Sequence, residues 1–143
     1  MTPLEQVQNL YTAYTIQAME VAKNTPYTSG LFGMGRRASD DPCHERFIES
    51  LTALMKEFKE SGVPSAELRE ALSFIFEAHG QYTDKPDIYW MLIAAHGAAV
   101  EVIPRLSRED ASALRDQYEK LFKRPSRMPV QTKIVKLLGQ AAK

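Results

Sequence analysis

The stretch 88–103, IYWMLIAAHGAAVEVI, constrains the fold more than any other part of the chain. Its sixteen residues contain only two that can carry charge, His96 and Glu101. A helix with no polar face of ordinary width must be surrounded on most sides, so this segment is expected to be the central post of the molecule. Its second half is nearly all small. Ala94, Ala95, Gly97, Ala98 and Ala99 let neighbouring backbones approach, while Tyr89, Trp90, Met91, Leu92 and Ile93 supply bulk at the other end. The run is shorter than the roughly 18–20 apolar residues a bilayer crossing needs, so no membrane span is expected.

The flanking sequence reads as helices with clear punctuation. Thr2 and Glu5 form a capping box around Pro3, and Leu4, Val7, Tyr11, Tyr14, Ala18 and Val21 recur three and four residues apart. That seam is expected to pack against a bundle rather than form a self-associating coiled coil, which needs more heptads. Asp40 or Asp41 with Pro42 starts a second helix, whose stripe is Phe47, Ile48, Leu51, Leu54, Met55 and Phe58 and whose stop is Gly62. Ser65 is read as the cap of a third helix, with Leu68, Ala71, Leu72, Ile75 and Phe76 inward and Gly80 near its end. Ser107 caps a fifth, burying Ala111, Leu114, Tyr118, Leu121 and Phe122. Pro129 opens the last, with Val130, Ile134, Leu137 and Leu138 inward.

These signals predict an all-α fold: one domain over 1–143, a compact bundle of about six helices around the central apolar helix 87–103. The helices are expected at about 3–24, 42–61, 66–79, 87–103, 108–123 and 129–141, with a long loop at 25–40. A chain of 143 residues is long enough to hold a core without staples. The single cysteine, Cys43, excludes an intrachain disulfide and fits a reducing compartment. MTPLEQVQNL lacks a basic start and an apolar core, so it reads as mature sequence. A cytoplasmic location is the expectation.

Functional signals are sparse. The loop 25–40, TPYTSGLFGMGRRASD, mixes glycines with large apolar residues, and loops of this length tend to be functional or disordered. Phe32 and Met34 either tuck into the body or meet a partner. Arg36 and Arg37 precede a helix start, where an anion would be welcome, but Asp40 and Asp41 already occupy that positive end. If the second, third and fourth helices run up, down and up, His44 and His79 fall at one pole with Cys43, Asp84 and Asp87 nearby. His96 would then lie about 13 Å further along, at roughly 1.5 Å per residue, too far to share an ion with them. Nothing has the spacing of an established metal motif, and interior histidines with satisfied rings are the simpler reading.

Charge is unevenly placed. The seven basic residues from Lys120 onward (Lys120, Lys123, Arg124, Arg127, Lys133, Lys136 and Lys143) are accompanied by no acid, which leaves eleven basic against eighteen acidic residues before them. Docking of this basic segment onto an acidic body, or onto a second copy, is preferred over nucleic-acid or polyanion binding, because proline interrupts it and no aromatic stacking platform accompanies it. No nucleophile elbow or paired carboxylates single out a catalytic centre, and no motif calls for a cofactor. Cys43 at a helix start could gain thiolate character from the dipole, which Asp40 and Asp41 oppose.

The expectation is thus a binding module rather than an enzyme: a protein-interaction or adaptor protein using 27–41 and the adjoining helix ends. A homodimer through the first-helix seam or the last helix is part of the same expectation. The alternatives are a polyanion binder through 120–143 and a small-ligand or metal site at the His44 and His79 pole.

Overall fold

The computed structural model describes residues 1–24, 41–123 and 127–143. Within them the fold is all-α, with six α-helices and no strand. α1 spans Pro3–Asn24, α2 Pro42–Ser61, α3 Ser65–Glu77, α4 Pro86–Ala94, α5 Arg108–Leu121 and α6 Pro129–Ala141. The described residues also form three 3-10 helices: Ala78–Tyr82 after α3, then Ala95–Glu101 and Ile103–Arg105 after α4.

Local chemistry sets most helix ends. The Thr2 hydroxyl accepts from the Glu5 backbone N–H at 3.1 Å, and the Glu5 carboxylate accepts from the Thr2 N–H at 3.5 Å and hydroxyl at 3.0 Å. α2 begins where the Asp41 carboxylate accepts from the Cys43 N–H at 2.9 Å with Pro42 in the first turn, where its missing N–H costs nothing. It ends at Gly62, the one residue with positive φ (68°) among those described. The Ser107 hydroxyl caps α5 by accepting from the Asp110 N–H at 3.2 Å.

Ser65 has a different task from the expected one. Pro64 takes the cap position of α3 without a side-chain bond, and the Ser65 hydroxyl crosses to α5, accepting from the Ser107 N–H at 2.7 Å and donating to Asp110 at 2.6 Å. Asp110 also accepts from Ser107 at 2.9 Å and pairs with Arg69 at 3.3 Å. This polar clasp fixes the start of α5 against the start of α3.

The helices enclose one core. α1 packs on α2 and α3, α3 on α5, and α5 on α6. Its residues include Val7, Tyr11, Leu51, Met55, Leu72, Phe76, Leu92, Tyr118 and Ile134. The α1 seam (Val7, Tyr11, Tyr14, Ala18) is buried within the chain itself, so it is not the free surface a homodimer would use. Likewise α6 buries Ile134, Val135 and Leu138 against α5 and the segment after α4. Leu121, assigned inward from its spacing, is 38% exposed because α5 stops there.

The expected central helix 87–103 is not one helix. It is α-helical only to Ala94 and then tightens into seven residues of 3-10 geometry, longer than the three or four such runs usually reach. Nor is it wrapped throughout: Trp90 is 55% exposed, while Leu92, Ala95, His96, Ala99 and Val102 are buried. α2 and α6 both press on Ala95–Glu101. With only small side chains over most of that run, their close approach selects the tighter coil, although Ala-rich sequence by itself favours the α form.

Candidate functional site

The pole where α1 ends and α2 and α4 begin carries the first candidate. Because α2 starts at Pro42, His44 lies in its first turn and faces inward, 2% exposed. Its Nδ1 is 2.6 Å from the Tyr14 hydroxyl of α1, and the two rings meet edge-on at 5.6 Å. Tyr14 stacks in turn on Phe47, with centroids 4.1 Å apart. Burial pushes the Tyr14 phenol above its ordinary value, with further contributions from Cys43 and Asp87, so the hydroxyl stays protonated beside the imidazole.

Over His44 lies an apolar concavity of about 280 Å³ lined by Ala18, Met19, Ala22, Pro86 and Ile88, with Lys85 and Asp87 at its edge. A second, shallower one of about 510 Å³ shares His44 and continues across Pro42, Ile48 and Met91. Met19, in the lining of the first, is 39% exposed, and Trp90, further along α4, is 55% exposed. Trp90 follows Pro86 by four residues, which places both on one face of α4.

His79 and His96 form a different cluster. His79 lies in the 3-10 turn Ala78–Tyr82, which packs back along α4, so its ring reaches the middle of the 88–103 segment. It meets Tyr89 at 5.4 Å, Phe122 at 5.1 Å and His96 at 5.5 Å. His96 is fully buried, its Nδ1 3.0 Å from the Tyr118 hydroxyl, with Phe76 against its ring at 5.4 Å. His79 Nδ1 and His96 Nε2 are buried without a hydrogen-bond partner. Burial, reinforced by His79, depresses His96 to about 3 against the opposing pull of the Ile75 carbonyl. Burial also lowers His79, opposed by Glu77. Both rings are neutral at pH 7.

The sequence-based pairing is therefore revised. His96 stands beside His79, where axial rise had placed it far away, and His44 is engaged with Tyr14. Asp84 is paired with Lys85 at 3.1 Å, and that ion pair holds its carboxyl below the usual range. Among the described residues no three His, Cys, Asp or Glu side chains come together as a metal would need. Cys43 is buried at 2% exposure, and burial with the Asp41 carboxylate raises its thiol to about 11, which overrides any activation by the helix end.

Phe32, Met34, Arg36, Arg37 and Arg124 lie outside the described residues. In the basic segment Lys120, Lys123, Lys133 and Lys136 are exposed, whereas Arg127 donates through Nε to the Phe122 carbonyl at 2.6 Å and closes the end of α5. The guanidinium serves the fold. Among the described residues no helix is long and apolar enough to cross a membrane.

One concavity drew no notice from residue spacing. Between α1 and the Ala78–Tyr82 turn lies a groove of about 400 Å³, lined by Gln8, Asn9, Tyr11, Thr12, Thr15, Phe74, Ala78, Gln81 and Tyr82. The signal that could have found it is that residues 6–19, QVQNLYTAYTIQAM, contain no charged side chain.

No protein-family model matches the chain, and searches of characterised proteins and of solved structures find no match either.

Proposed function

We propose that the protein is a binding module for another protein, a non-catalytic interaction or adaptor domain, whose recognition surface is the pole formed by the end of α1 and the starts of α2 and α4. The surface is continuous in sequence with 27–41, where Phe32 and Met34 would add apolar anchors. The observation that carries this reading is the apolar concavity over His44, with Met19 (39% exposed) in its lining and Trp90 (55% exposed) four residues on from Pro86 along α4. Aromatic and methionine side chains around a dry pocket are the features that dominate binding energy at protein interfaces, and a partner would seat one or two apolar side chains there. Cys43 is buried and keeps its proton, and His79 and His96 are enclosed in the core, so among the described residues these groups present no nucleophile or base to a substrate, which supports binding over catalysis.

A photo-crosslinking amino acid at Met19 or Trp90, in the full chain expressed in cells, tests this. Discrete adducts from those two positions and none from Thr132, exposed on α6, are the expected result. Adducts from all three alike, or from none, refute the reading. Trp90 is the only tryptophan, so its emission reports a partner directly by shifting to the blue.

A further inference from the structure

The groove between α1 and Ala78–Tyr82 has a composition unlike the rest of the surface. A solvated helix face in a chain that is 25% charged ordinarily carries Lys, Arg, Asp or Glu. Here α1 runs fourteen residues without one, and the opposite wall contributes Gln81, Tyr82, Phe74 and Ala78, also without charge. Amides and hydroxyls, which both donate and accept, alternate with aromatic rings.

A second observation comes from the groove's inner wall. Tyr11 is 3% exposed and packed edge-on between Phe47 at 5.0 Å and Phe74 at 5.2 Å. Its hydroxyl is buried with no hydrogen-bond partner among the described residues, an unfavourable arrangement that calls for an explanation. Burial raises its pKa, so the group is a donor throughout the physiological range.

We propose that this groove binds a neutral, hydroxyl-rich small molecule, a mono- or disaccharide in chemical class, and that a small displacement of the Tyr11 ring, whose hydroxyl is closed off from solvent in the empty groove, gives that hydroxyl its acceptor when the groove is filled. Three properties point to that class. At about 400 Å³ the groove falls within the ~300–1,000 Å³ range of ligand sites. Asn, Gln and Thr side chains match vicinal hydroxyls, each of which needs both a donor and an acceptor. Phe74 and Tyr82 provide ring faces for the C–H side of a sugar. Among the described residues no cation lines the groove, which disfavours phosphorylated or carboxylated ligands, since these need charge-assisted bonds to bind well. The groove is separate from the pole proposed to bind protein: α1 contributes to both, but the two share no lining residue.

The test is a titration of isotope-labelled full-length protein with glucose, maltose, uridine and glucose 6-phosphate, followed by amide chemical shifts. A neutral saccharide is expected to move signals of residues 8–15 and 78–82 in a saturable way, and the phosphorylated sugar to bind at least tenfold more weakly. Thr12→Arg, at an exposed position, should leave the thermal midpoint intact and abolish the shifts. Tyr11→Phe should fold at least as stably as the parent, because it removes an unsatisfied hydroxyl, and should weaken saccharide binding about tenfold. Absence of shifts with every saccharide, saturation by uridine alone, equal binding of the phosphorylated sugar, persistence of the shifts in Thr12→Arg, or unaltered affinity in Tyr11→Phe each overturns the proposal.

Discussion

Acidification should destabilise the protein through His96, and the size of the effect follows from its surroundings. The ring is fully buried among Phe76, Tyr118, Phe122 and His79, its Nε2 has no hydrogen-bond partner, and its folded pKa lies near 3 against an ordinary 6.5. Below pH 6.5 the unfolded chain therefore takes up a proton that the folded chain refuses. Stability is lost as pH falls from 6.5 towards 3, at about a factor of ten in the folding constant per pH unit. At pH 5 the loss from this residue is about 2 kcal/mol, a large share of the roughly 5–15 kcal/mol that holds a domain of this size together. His79, also depressed, adds a loss of the same sign. The carboxylates of Asp41, Asp84 and Asp110 are held below their usual range and contribute only at lower pH. Urea denaturation followed by circular dichroism at pH 7, 6.5, 6, 5.5 and 5 measures the slope. The control is the double variant His96→Leu, Tyr118→Phe, which removes both members of the hydrogen bond and so leaves no orphaned hydroxyl. The parent should lose stability more steeply than the variant by close to one proton's worth over the lower half of that range. Equal slopes would mean that His96 titrates alike in both states and that its burial has been misjudged.

Three further outcomes follow from local geometry. Gly62→Ala forces a side chain into the left-handed region at φ 68°, with nothing within 4 Å of the new Cβ, so strain alone should cost about 1 kcal/mol and lower the thermal midpoint by several degrees. Asp110→Ala removes the acceptor shared by Ser65, Ser107 and Arg69 and should destabilise by about 2 kcal/mol in the same urea assay, whereas Asp84→Ala, which loses an exposed ion pair with Lys85, should leave the urea midpoint unchanged. Cys43 should resist iodoacetamide for hours at pH 7.5 under native conditions and react promptly in urea, as mass spectrometry would show; rapid native labelling would contradict its burial and raised pKa.

What could be read from the residues, and what could not, divides along sequence distance. The capping box Thr2–Glu5, the Asp41–Pro42 start and the Gly62 stop are decided by neighbours within three or four positions, so their chemistry is visible in one dimension. The same holds for the α2 stripe, whose period is intrinsic to the helix. Ser65 misleads because its partner Asp110 is 45 residues away: a serine after a proline resembles a cap until a better acceptor arrives from another helix. The tightening at Ala95 fails for the same reason. Gly97, Val100 and the following Pro104 weaken an α-helix over AHGAAVE without dictating the 3-10 form, and α2 and α6 press on its small side chains from opposite ends of the chain.

The histidines show how one such local change rearranges a whole candidate site. Counting 1.5 Å per residue along an unbroken rod put His96 beyond the reach of His79, and the calculation assumed that α3 stopped at its glycine. Instead the chain continues through Gly80 as a 3-10 turn lying along α4, carrying His79 past the helix start to the level of both Tyr89 and His96. His44, left at the pole, then has the Tyr14 hydroxyl as its neighbour, and the space above it is lined mainly by alanine, methionine, proline and isoleucine, with Lys85 and Asp87 at the edge. A polar pole meant for an ion thus becomes an apolar one suited to a side chain. The two orphaned imidazole nitrogens move into the core, where they act on stability against pH and have no access to a substrate.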